Sequence, residues 1–150
     1  MYVVMVALMF ALPVLASLIE VFFVAHGPFS LGMLLRWFVF FPVGARLTLA
    51  GVRQIVQPRY TAEVVLGIKS PESHVVVREL GFANCAIGLI GLVSLASADY
   101  LYPAGLAGAV YYGLAGLNYL LHKGRTRNQS IAMVSNLLVA IILGVLLLPS

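Results

Sequence analysis

Apolar residues fall in five long runs along this chain, each broken by small or polar residues at helical spacing. The runs extend from about Tyr2 to Val24, Leu31 to Val56, Val75 to Ala98, Pro103 to Leu121 and Ser130 to Leu148. Each reaches the roughly 20 residues that a helix needs to cross a bilayer. Pro13 predicts a kink in the first run, because it removes a backbone donor. Pro42 and Gly44 predict a break or kink in the second, close to Arg46. In the third run Gly81, Asn84, Cys85, Gly88 and Gly91 recur in steps of three and four, which places them on one helix face. Gly105, Ala109, Gly113 and Gly116 form a second such face, and Ala132, Asn136, Ala140 and Gly144 a third. Small residues let membrane helices approach closely, so these are predicted packing faces.

Between the runs, His26-Gly27-Pro28 reads as a tight turn. The stretch 57–73 is the one substantial loop. Within it, residues 61–67 predict a short interfacial helix with Thr61 as N-cap and Gly67 past its end. Ser70-Pro71-Glu72 then reads as the start of the third long helix. Asp99 to Pro103 is a short acidic, aromatic turn, and His122 to Asn128 is a basic loop. The tyrosines at 100, 102, 111, 112 and 119 read as interfacial anchors and packing residues.

Composition changes the solvent. The chain is 62% hydrophobic and 9% charged, whereas a soluble domain is roughly half apolar and about a quarter charged. The expectation is one integral membrane domain over residues 1–150, an all-α bundle of five transmembrane helices. Four spans are the alternative count, with one segment re-entrant or interfacial. The net charge of +4 does not point to nucleic acid, because the basic residues flank the apolar runs. Arg53, Arg59, Lys69, Arg78, Lys123, Arg125 and Arg127 all fall on one side of a five-span arrangement, which the positive-inside rule makes cytoplasmic. The N-terminus then lies in the cytoplasm.

The candidate chemistry is the set of polar groups inside the runs, which are expensive in lipid unless paired. Arg46, Arg53, Glu79, Asn84, Asn118 and Asn136 fall at similar depths in the cytoplasmic half and predict a polar cluster or ligand pocket around an Arg46/Glu79 pair. Glu20 and Arg36 form a secondary pair near the other side. A satisfied structural pair, a headgroup or quinone pocket, and snorkelling to the interface are the three readings of the cluster. Cys85 stands alone, so no intrachain disulfide forms. The three histidines are scattered without metal-ligand spacing, no nucleotide or hydrolase motif occurs, and no cofactor is expected.

The segments Val43-Gly44-Ala45-Arg46, Glu63 to Ile68, Arg78 to Asn84, Tyr112 to Gly116 and Asn128 to Asn136 resemble an uncharacterised family of small prokaryotic membrane proteins. The layout is similar to that of DoxX-like membrane proteins, some of which associate with respiratory or sulfur-oxidising complexes. The resemblance implies a prokaryotic inner membrane. The function expected is that of a non-catalytic accessory subunit or a lipid- or quinone-binding protein. A proton-coupled transporter using Glu79, or a redox-complex accessory subunit, is the alternative. The expected partners are membrane lipids, a larger membrane complex or further copies of the chain.

Overall fold

The computed structural model describes residues 2–25 and 28–148, so His26 and Gly27 of the expected turn lie outside the described residues. The described chain is all α-helical. Helix α1 covers 2–25, α2 Leu31–Val56, α3 58–66, α4 Ser73–Val93, α5 Leu101–Leu121 and α6 Arg127–Leu146. A single 3-10 turn, Ala98–Tyr100, precedes α5. Five of the helices have 20 residues or more. Four of them (α1, α2, α4 and α6) are long and apolar enough to cross a membrane. Helix α5 is as long, but its glycines, tyrosines and Asn118 lower its hydropathy.

Helix α2 is the hub. It packs along α4 over most of its length and also touches α1, α5 and α6. Helices α5 and α6 form the other extensive pair. The core between them holds Met9 of α1, Leu35, Phe38, Val39, Val43 and Leu47 of α2, Ala104 and Tyr112 of α5, and Val139, Leu143 and Leu146 of α6.

Glycine brings α2 and α4 together. A Cβ at Gly51 would lie 2.6 Å from the Gly81 carbonyl oxygen, and one at Gly91 would lie 2.6 Å from the Gly44 amide nitrogen. At Gly88 it would meet Thr48 Oγ1 at 2.4 Å. The numbering runs in opposite senses, so the pair is antiparallel. Lipid tails are as apolar as leucine, and helix association therefore rests on this close van der Waals packing. Gly116 meets Leu137, and Gly108 meets Val43 and Leu143, in the same manner.

Several expectations are corrected. Pro42 does not break α2: the helix continues through a π-helical stretch, Val39–Arg46, which absorbs the lost donor by widening the turn. Residues Ala7–Ala11 do the same before Pro13. Thr61 is no N-cap, since the helix already starts at 58 and Thr61 is buried within it, while Gly67 does end it at φ 74. Helix α4 stops at Val93 rather than Ala98, where the Ser94 hydroxyl donates to the Gly91 carbonyl at 2.8 Å. Such side-chain bonds compete with the helical ladder. Helix α6 starts earlier than expected, because Thr126 and Gln129 form a reciprocal capping box. Its buried line is Ser135, Asn136, Val139, Leu143 and Leu146, and Gly144 of the expected stripe meets nothing.

Candidate functional site

The widened turn of α2 sets up the polar centre. Tyr112 of α5, completely buried, sends its hydroxyl to the Pro42 carbonyl at 2.5 Å. Arg46, one turn further along α2, donates from Nη1 to the same hydroxyl oxygen at 3.0 Å. Its guanidinium carbon lies 5.1 Å from the Tyr112 ring centre. The other terminal nitrogen reaches the Met5 thioether of α1 at 3.8 Å, a weak acceptor. Three helices thus converge on one cation. Gly108 and Gly116, one turn to either side of Tyr112, share its buried face of α5 and let α2 and α6 approach there.

Around this centre stand further polar side chains. Tyr111 and Tyr119 of α5 stand near Arg46 as well as Tyr112. Tyr111 in turn neighbours Asn84 of α4. Asn84 is 1% exposed and donates to Gln54 Oε1 at 2.7 Å, while its Oδ1 accepts nothing. Helices α4 and α5 touch each other far less than either touches its main partner.

The expected cluster is only partly assembled. Arg46 and Asn84 belong to this region. Glu79 is exposed on α4 and makes no ion pair with Arg46. It is two residues from Gly81, about 200° round the helix, and Gly81 faces α2. Asn118 is exposed for the same reason, two residues past Gly116. Arg53, on the face shared with Arg46, instead stacks over the Tyr60 ring at 3.9 Å, at the loop end of α2. Asn136 is buried in α6 with its Oδ1 unsatisfied, and no hydrogen bond joins it to Arg46. Tyr112, which the sequence reads as an anchor or packing residue, does pack in the core, and its bonds to Pro42 and Arg46 are the part the sequence does not show. The glycines four residues before and after it are the signal that marks a large side chain turned inward.

The secondary pair does form. Arg36 Nη2 pairs with Glu20 Oε1, and Trp37 Nε1 donates to Glu20 Oε2 at 2.7 Å. This ties α1 to α2 at the end away from the long loop. Outside the long helices, the Ser70 hydroxyl donates to Glu72 and holds that carboxyl below its ordinary range.

Among the described residues no group of three or more His, Cys, Asp or Glu side chains could hold a metal ion. The model of a family of unknown function matches residues 3–150. No curated protein and no solved structure matches the chain.

Proposed function

The chain belongs to that family, DUF6790, whose function is unknown, and on that premise we propose a reading drawn from the Arg46 centre. The protein is a non-catalytic, multi-pass membrane protein that binds the oxygen-bearing head of a membrane amphiphile, a lipid or a quinone. One observation supports this above the others: Arg46 is a half-buried cation well inside α2, and among the described residues no carboxylate pairs with it. An arginine at the centre of a membrane helix costs about 2.5–3.5 kcal/mol on insertion scales. A single interhelical hydrogen bond such as that to Tyr112 returns about 1–2 kcal/mol. The Tyr112 ring beneath the guanidinium adds a cation–π contact, and the donors that face only the weak Met5 acceptor favour a further one, such as a phosphate or quinone oxygen.

The loose junction of α4 with α5, beside Tyr111, Tyr119 and Asn84, offers a lateral way in from the bilayer. The tyrosine hydroxyls and the guanidinium supply donors, and the surrounding helices supply an apolar wall for a tail. Such a protein suits the role of accessory subunit in a larger membrane complex. We assign it five spans, a cytoplasmic N-terminus and a prokaryotic inner membrane. The transporter reading depends on Glu79 as the titrating group, and the exposed position of Glu79 does not favour it.

Native mass spectrometry of the protein extracted under mild conditions tests this. The expected result is a bound lipid or quinone whose mass identifies which, retained by the wild type and lost by Arg46→Met. A bare wild-type chain, or equal amphiphile content in a helical Arg46→Met variant, overturns the proposal.

A further inference from the structure

A second site lies away from Arg46, where α5 turns into α6. The loop there borders an open, shallow cleft of about 570 Å³ lined by Leu120, His122, Lys123, Gly124, Arg125 and Ser130. Sites for small ligands occupy roughly 300–1,000 Å³. Two of the lining residues, Lys123 and Arg125, carry fixed positive charge. Nothing nearby in the sequence opposes them, since residues 100–150 contain no Asp or Glu.

The cleft is built rather than incidental. Arg125 Nη1 donates to the carbonyls of Tyr119 at 2.9 Å, Leu120 at 2.6 Å and His122 at 3.2 Å. Those bonds satisfy the open end of α5 and fix the guanidinium at the mouth of the cleft. Gly124, at φ +87, makes the sharp reversal that a side chain would resist. The capping box of Thr126 and Gln129 then fixes where α6 begins, and with it Ser130 on the opposite wall. Lys123 is exposed, and among the described residues it has no ion pair. Leu120 brings an apolar wall into the same cleft, and the exposed Leu121 and Leu117 continue that surface along α5.

A fixed positive rim above an apolar helix wall is complementary to a phosphate with an acyl tail. We propose that this cleft binds the phosphate of an anionic phospholipid at the membrane surface. The site rests on the protein being in a bilayer, and it is independent of what occupies the Arg46 centre.

The full chain is placed in bilayer discs of equal parts phosphatidylglycerol and phosphatidylcholine, and the lipid it retains on release is counted by native mass spectrometry. The wild type should retain the anionic lipid in preference. Lys123→Gln should lower that preference about fivefold, the factor that one basic group contributes at an anionic surface. Lys69→Gln removes an exposed lysine from a different loop on the same side, outside the cleft, and should lower it less. Equal retention of both lipids by the wild type overturns the proposal, as does the same loss in Lys69→Gln as in Lys123→Gln. Inorganic phosphate is the final arm: if the wild type binds it, Lys123→Gln does not, and neither prefers the anionic lipid, the ligand is the soluble anion and the lipid assignment falls.

Discussion

Tyr112 and Pro42 are bonded across the centre of the bundle, hydroxyl to carbonyl, at 2.5 Å. They are 70 residues apart in sequence, and the bond secures a carbonyl in the widened turn of α2. Removing the hydroxyl should therefore affect both the turn and Arg46, which donates to the same oxygen. Tyr112→Phe should cost about 1–3 kcal/mol, the penalty for leaving buried polar groups without a partner. Unfolding in a graded mixture of mild and denaturing detergent measures it. A cycle with Arg46→Met should show coupling, and strict additivity would mean that the two residues act separately.

The antiparallel contact of α2 with α4 is sterically filled at Gly51. Gly51→Ala should destabilise by about 1–3 kcal/mol, as overpacking does, because the new methyl would overlap the Gly81 carbonyl oxygen and Cys85 Sγ. Gly144→Ala is the matched control, with nothing within 4 Å of its Cβ, and should be neutral. Equal effects at the two positions would contradict close packing as the cause.

Glu20 joins α1 to α2 through Arg36 and Trp37. Its side chain is 12% exposed and that of Arg36 37% exposed, so the pair is partly screened. Glu20→Gln should loosen α1 by about 1–2 kcal/mol, in the range of polar contacts between membrane helices. Limited proteolysis in detergent should then cut first between α1 and α2. A variant as resistant as wild type would show that apolar packing alone holds α1.

Thr126 accepts from the Gln129 amide, and Gln129 accepts from the Thr126 amide. Thr126→Ala should cost about 1 kcal/mol. Faster amide hydrogen exchange in the first turn of α6, with the rest of the helix unchanged, is the expected signature.

The topology proposed from the basic loops is open to direct test. A reporter fused at the C-terminus should be active only outside the cytoplasm, because five spans and an internal N-terminus end outside. Cytoplasmic activity would refute the five-span count, and α5, the long helix that is not among the four apolar enough to cross a membrane, would be the first to reassign.

Much of the fold was legible in the chain. The five apolar runs became the five long helices, and Gly81, Asn84, Gly88 and Gly91 became the buried face of α4. The membership of an uncharacterised family was legible as well, in motifs spread from Val43 to Asn136. The Glu20–Arg36 pair could be read because Glu20 is the one charged residue of the first run and Arg36 is the charged residue of the second run at matching distance from one short turn.

Other features were decided by tertiary structure alone. Periodicity reports which residues share a face, but not which face meets which neighbour. Glu79 and Arg46 have similar depths, yet the glycines of α4 turn Glu79 away from α2, because backbone contact is closest where no side chain intervenes. Tyr112 lies in a run of tyrosines that reads as an interfacial belt, and only the approach of the widened α2 turn makes it the partner of a proline carbonyl. Length and hydrophobicity determined the helices, because each helix satisfies its own backbone. The rotation of each helix about its axis set the polar centre, and that depends on van der Waals fit between surfaces far apart in sequence.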